Sequence, residues 1–265
     1  MHIAEESGVG GWKKVDGKIV YNESTEKFKR LIDWIIGEPA AYVFLMGDIF
    51  NTGIIGSKSD IYREQYKLDD AVDYATELLS PLAKTGRLIG GVDGNHEYRL
   101  IRMASVSLVK NLIDKLNQDS PTDKPIHHFP NQCAYLFFKI GDNKDWKSDR
   151  YRPYTYTILF HHGRGGGRTD GSKVNNLSAM TKMAPADIYI MGHVHMKFVM
   201  AKDFPQVDII HSKVFTEKRY FMISGGWLGY APYAIEKMYE PATIGVGRIR
   251  LNAEPLRGKD IKISI

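Results

Sequence analysis

The chain has 265 residues, 43% of them hydrophobic and 25% charged, which excludes a disordered chain and leaves room for one large α/β domain or two small ones. A net charge of +5 fits a polyanionic partner such as nucleic acid without requiring one. The single cysteine, Cys133, excludes an internal disulfide, and no apolar run approaches the roughly 18 residues of a membrane span. With a charged rather than apolar N-terminus, a cytoplasmic protein with no membrane partner is expected.

The first twenty residues, with Gly8, Gly10, Gly11 and Gly17, read as an irregular opening with a short strand near Lys18 to Tyr21. Phe28, Leu31, Ile32 and Ile35 recur at i, i+3, i+4 and i+7, after Ser24 and Thr25 as candidate N-caps and before Gly37 and Pro39. That spacing predicts an amphipathic helix. Ala41 to Met46 is an apolar run of strand length, buried on both faces as in a parallel sheet, and it ends in Gly47-Asp48-Ile49-Phe50-Asn51. A second helix is predicted from about Asp60 to Leu79, closed by Pro81. The next strand, Arg87 to Val92, ends in Asp93-Gly94-Asn95-His96-Glu97, and a third helix is predicted over Leu100 to Leu116.

Cys133 to Ile140 and Tyr154 to Phe160 read as strands flanking a Gly-Asp-Asn turn at 141–143. Phe160 leads into His161-His162-Gly163, a glycine-rich loop to Gly171, and a short helix near Lys173 to Met183. The buried strand Ile188 to Met191 ends in Gly192-His193-Val194-His195. Beyond it, Lys197 to Ala201, Val207 to His211, Arg219 to Ser224 and Gly245 to Leu251 read as strands, with a break at Gly225, Gly226 and Gly229. Early βαβα alternation followed by strands predicts a single layered α/β domain over 1–265 whose second half completes a second sheet.

Polar chemistry follows four of these strands, at the edge where open α/β sheets bind ligands. The inventory is Asp48, Asn95, His96, His162 or His161, His193 and His195. In an extended segment His193 and His195 point the same way, so both can grip one metal ion or a close pair. Carboxylate, amide and imidazole donors suit Mn, Fe and Zn better than a thiolate site would. One aspartate among neutral ligands fits a carboxylate shared by two metals. Two metals roughly 3.5 to 4 Å apart can hold a bridging hydroxide and clamp a phosphoryl group for in-line displacement.

Gly47-Asp48-Ile49-Phe50-Asn51, Gly94-Asn95-His96-Glu97, His162-Gly163 and Gly192-His193-Val194-His195, in this order, resemble the calcineurin-like metallophosphoesterases. The resemblance implies a four-layer α/β sandwich, two mixed β-sheets flanked by helices. It also implies two divalent metal ions, Mn first, with Fe, Zn or Ni as alternatives. On this reading Asp48 bridges the metals, Asn95, His162 and His193 hold one, and His195 holds the other. His96 faces the scissile phosphate, stabilising charge or protonating the leaving oxygen. The family's histidine-glycine pattern selects His162 over His161. Met1-His2-Ile3 resembles the tail of the family's first motif, Asp-x-His, with His2 as its histidine and a metal ligand. The aspartate would then fall one position before Met1. Either the chain starts inside that motif, or the protein lacks this ligand and Glu5, Glu6 or the terminal amine stands in.

Gly163-Arg164-Gly165-Gly166-Gly167-Arg168 exposes backbone N–H groups, and Arg164 and Arg168 can hold substrate phosphate; a plain surface loop is the alternative. Arg99 and Arg102 either extend that basic surface or form a solvated helix face. Trp227, Tyr230 and Tyr233 either stack on a base or pack over the sheet edge. Asp93 and Glu97 are expected behind the ligands or at the surface, while His127, His128 and His211 show no partner pattern. The stretch around His162 and the Tyr-rich tail also resemble phosphoesterases of bacteriophages and prophages. The expected activity is a metal-dependent phosphodiesterase acting on nucleic acid, DNA or RNA, or on nucleotides. The alternatives are a phosphomonoesterase or protein phosphatase, and an impaired metal- or nucleic-acid-binding protein lacking the first aspartate.

Overall fold

The computed structural model describes residues 1–54, 64–141, 153–165, 167, 169–230, 235, 238, 240–241, 243–252 and 259–265. A hairpin, β1 (Trp12–Val15) and β2 (Lys18–Tyr21), precedes helix α1 (Glu23–Gly37). Asn22 is the cap: its side chain accepts from the Thr25 N–H at 2.9 Å, a contact worth ~1 kcal/mol. Ser24 and Thr25, expected as caps, are instead buried in the first turn, where Thr25 Oγ1 donates to Asn22 and accepts from the Gly10 N–H.

The chain then forms β3 (Val43–Leu45), α2 (Leu68–Lys84), β4 (Leu88–Val92), α3 (Asn95–Ala104), α4 (Leu108–Asn117) and β5 (His127–Phe129). The three strands pair in parallel in the order β3-β4-β5. Phe28 and Ile32 of α1, Val72 and Leu79 of α2 and Leu112 and Leu116 of α4 bury one face of this sheet together with Leu45 and Leu88.

The second sheet contains β6 (Cys133–Ile140), β7 (Tyr154–His161), β8 (Ile188–Met191), β9 (Lys197–Asp208), β10 (Lys213–Gly226) and β11 (Gly245–Val246). Its order is β6-β7-β8-β10-β11, with β9 also paired to β10; β7, β8 and β10 run parallel and the others antiparallel. Helix α5 (Asp170–Ala179) and a 3-10 turn (Met180–Lys182) cover its outer face, with Leu177 and Met180 over Leu159, Tyr189, Phe221 and Ile223. Between the sheets, Phe44, Val92 and Phe129 meet Ile158, Phe160, Ile188, Ile190 and Met222. A final hairpin, β12 (Arg248–Asn252) and β13 (Asp260–Ser264), adds Ile249, Leu251 and Ile261 to that interior. The result is the expected four-layer α/β sandwich of helices, smaller sheet, larger sheet and α5, except that the smaller sheet is all parallel instead of mixed.

Several boundaries differ from expectation. Helix α2 begins at Leu68 and runs through Pro81 to Lys84, so the proline sits in the last turn instead of ending the helix; positions 60–63 lie outside the described residues. The run predicted as one helix over Leu100 to Leu116 is two. It starts at Asn95, breaks at Ser105, which takes a left-handed φ of 56°, and restarts at the Ser107 cap. The strands predicted at Lys197 to Ala201 and Val207 to His211 are one, β9, because Pro205 is tolerated in an edge strand. Among the described residues no helix is long and apolar enough to cross a membrane.

Candidate functional site

Both sheets deliver polar loops to one place. The loop after β3 brings Asp48, the turn from β4 into α3 brings Asn95 and His96, the end of β7 brings His162, and the loop after β8 brings His193 and His195. The N-terminal segment lies along the first of these loops: the His2 N–H donates to Asp48 O at 2.9 Å and the Ile3 N–H to Ile49 O at 2.8 Å. Asp48 is the centre. Its Oδ2 lies 3.3 Å from His162 Nε2, 3.8 Å from His193 Nδ1 and 3.9 Å from His2 Nε2, and its Oδ1 accepts from the His96 N–H at 3.0 Å. Two groups of donors share it: Asp48, His162 and His193 on one side, and His2, Asp48 and His96 on the other. His162 Nε2 is 3.0 Å from Asn95 Oδ1, and His195 Nε2 is 3.2 Å from His2 Nε2.

Backbone conformation is what fits these groups together. His2, Asp48, His193 and His195 all have left-handed φ, at 54°, 48°, 66° and 50°. Such conformations cost of order 1–3 kcal/mol each for most side chains, less for Asp and His, and cluster where a site imposes them. Gly47 and Gly94 allow the two loops of the smaller sheet to touch: a Cβ on Gly94 would lie 2.1 Å from the Asp48 nitrogen. Glu97, fully buried, fastens the same loops. Its carboxylate accepts from the N–H groups of Asp48 at 3.1 Å, Phe50 at 2.9 Å and Gly94 at 2.8 Å.

The charges divide unevenly. Burial opposes ionisation of Asp48, yet His162 and its hydrogen bond hold the carboxyl well below its usual range. Burial would likewise depress His162, but the neighbouring Asp48 charge outweighs it and raises its pKa. Burial dominates on the other side, where His96 and His195 are lowered to about 4 and His2 falls well below its ordinary value. Burial and the Asp48 charge together push Glu97 up to about 7.

A family model described as calcineurin-like phosphoesterase matches residues 2–197. The chain belongs to the calcineurin-like phosphoesterase family. A solved structure of a Vps29 double mutant from Entamoeba histolytica is also similar, at 13% identity and a TM-score of 0.31, covering 71% of this chain and 88% of that one. No curated protein sequence matches the chain.

The remaining sequence candidates of this calcineurin-like phosphoesterase are placed as follows. His161 lies outside the cluster and accepts from the Gly163 N–H through Nδ1 at 2.8 Å. Arg164 is exposed in the loop that follows His162, while Arg168, Gly166 and Tyr233 lie outside the described residues. Arg99, one helical turn past His96, is half-buried and donates to Thr52 O at 3.4 Å. Trp227 packs edge-on against Phe28 in the core instead of facing the site. Glu5 is held by Asn51 Nδ2 at 2.9 Å and Glu6 is exposed, whereas the terminal amine donates to Asp48 O at 2.7 Å.

Asp93, expected behind the ligands or at the surface, lies behind them, and the buried Thr52 went unread in the sequence. Asp93 accepts from Ser107 Oγ at 2.8 Å and pairs with His128 Nε2 at 2.9 Å, tying β4, α4 and β5 together behind the site. Thr52 Oγ1 donates to His96 O. The only signal for either was adjacency to a motif loop.

The donors fit divalent metal ions. His193 Nδ1 and His96 Nδ1 are buried without a hydrogen-bond partner, and both belong to donor groups that contain Asp48. A cation between Asp48 and the His193 ring would satisfy the first, and a substrate phosphoryl oxygen beside His96 would satisfy the second.

Proposed function

We propose that this family member is a metal-dependent phosphodiesterase acting on nucleic acid or nucleotides through two metal ions that share Asp48. The observation that carries the reading is the pair of donor groups with that one carboxylate in common. Asp48, Asn95, His162 and His193 would hold one ion; Asp48 and His2, with His195 3.2 Å from His2, would hold the other, which leaves His96 of the second donor group for the substrate. Bound divalent ions would neutralise phosphoryl oxygens and supply an activated nucleophile at neutral pH.

His96 stands at the edge of the second group, its ring 4.7 Å from that of His2. Its depressed pKa keeps the free imidazole neutral at neutral pH. The negative charge of a bound phosphate would raise it toward the range in which it can give a proton to the leaving oxygen. Its backbone is held at both ends, N–H on Asp48 and C=O on Thr52, so the ring has a fixed origin. Arg164, exposed in the loop after His162, and Arg99, one helical turn past His96, would offer guanidinium groups for the substrate's non-reacting oxygens. The basic net charge supports a polyanionic substrate.

The test is hydrolysis of bis(p-nitrophenyl) phosphate and of p-nitrophenyl phosphate with added Mn, beside His96→Ala. Faster diester turnover that vanishes on chelation and in the variant is expected. Faster monoester turnover would move the protein to the phosphomonoesterases. No turnover with metal bound would leave a binding protein.

A further inference from the structure

Strand β10 has two edges, and one is largely uncovered. On the first, β9 pairs with it from Lys213 opposite Asp208 to Ser224 opposite Lys197. On the second, β8 reaches only Tyr220 to Ile223, so from Lys213 to Arg219 no strand among the described residues lies against it. The Tyr220 N–H points to this second side, donating to Asp187 O at 2.9 Å. Backbone groups alternate along a strand, so those of Val214, Thr216 and Lys218 face the same way. Pro205, opposite Thr216, therefore turns its nitrogen to the outer edge of β9 and blunts it. The edge of β10 has no proline.

The hairpin end carries apolar side chains that nothing among the described residues covers. Ile209 and Ile210 are 85% and 88% exposed, Val214 75% and Phe215 50%.

We infer that this edge is a self-association surface on which two copies pair β10 antiparallel about a twofold axis at Phe215. Such an axis makes the contact self-complementary and closed. Charge selects the register. Centred on Phe215, Lys213 of each copy faces Glu217 of the other, Val214 faces Thr216, and the two Phe215 rings meet. Val214 and Thr216 are the residues whose backbone groups face outward, so they form the hydrogen-bonded pairs. Centring on Thr216 would also pair the backbone, but it would set Lys213 against Arg219 and Phe215 against Glu217.

In this register the turn 209–212 of one copy follows Lys213 past Glu217 of the other, toward the point where β8 begins. A cleft of ≈ 340 Å³ lies there, lined by Asp187, Glu217, Lys218, Tyr220, Lys259 and Ile261, and the twofold axis repeats the contact.

Sedimentation of the full chain at roughly 100 μM, about 100-fold above a micromolar Kd, is expected to give twice the monomer mass. Lys213→Glu places like charges opposite each other and should weaken the dimer at least ~10-fold, and K213E/E217K should restore it. Thr216→Pro removes an outward N–H that β9 does not use, so it should give a monomer with an unchanged circular dichroism spectrum. A monomeric wild type overturns the inference. So does a dimer that is indifferent to Lys213→Glu, which would put the contact elsewhere; Lys213 is exposed, so that variant folds even if the proline variant does not.

Discussion

The two halves of the histidine cluster share Asp48 and differ in how they are held. In one, His162 has both ring nitrogens engaged, Nδ1 with Met46 O at 2.6 Å and Nε2 with Asn95 and Asp48, and its charged form is favoured. In the other, His2, His96 and His195 meet edge-on at 4.7 and 5.0 Å, and burial together with mutual repulsion favours their neutral forms. The first half is organised before any cation arrives. The second is a set of imidazoles, two of them touching through Nε2, with no carboxylate besides Asp48 in its donor group among the described residues. The difference teaches that one shared carboxylate can outweigh burial in one group of imidazoles, at His162, and be outweighed by it in the other.

The harshest way to break this comparison is Asp48→Asn, which should reduce Mn-dependent turnover to background and abolish both classes of Mn binding in calorimetry. Survival of one class would mean the halves are independent. Next, titration of the wild type should resolve two classes separated by ~10-fold or more in Kd, about 1.4 kcal/mol. His193→Ala should remove the tighter and His195→Ala the weaker; equal affinities would contradict the asymmetry. Glu97→Gln loses an acceptor facing one of three backbone N–H groups, and should weaken Mn binding ~10- to 100-fold in both halves while lowering the melting temperature.

Acid sharpens the contrast in the metal-free protein. His195 titrates at about 4 when folded and near 6.5 when unfolded, so the unfolded chain holds the extra proton between these values. The stability tied to it is complete above pH 6.5 and is lost as pH falls through 4. Glu97, raised to about 7 from 4.5, opposes this, its contribution being present below pH 4.5 and lost as pH rises through 7. Urea midpoints from pH 4 to 6.5 should therefore rise less steeply in His195→Gln than in the wild type. The smallest effect belongs outside both halves: Ser107→Ala should cost ~1 kcal/mol through the α4 cap and leave Mn affinity unchanged.

The elements with a local pattern could be read from the chain. The apolar periodicity of α1 and the continuous runs of β3, β4 and β8 are properties of their own residues, and the four motif loops follow directly from where those runs end. What escaped depends on distant partners. Strand β5 is three residues, His127 to Phe129, that become a strand only beside Gly90 to Val92. The break at Ser105 is fixed by Ser107 reaching Asp93, not by any helix-breaking residue. The length of β9 and β10 comes from their pairing with each other, against the breaker signal of Pro205. At the site, residue types and strand ends named the donors. The shared place of Asp48 and the choice of His162 over His161 came from the family pattern, whereas the three N–H groups gathered by Glu97 needed the backbone.

Asp48, Asn95 and His96 stand on the parallel sheet, and His162, His193 and His195 on the mixed one. Neither sheet alone offers the full donor set, so the cluster can assemble only after the two apolar faces have closed on each other. A cation bound there would then report that the fold is finished, and would resist any sliding of one sheet across the other. Cation removal would free that sliding before it melted either sheet.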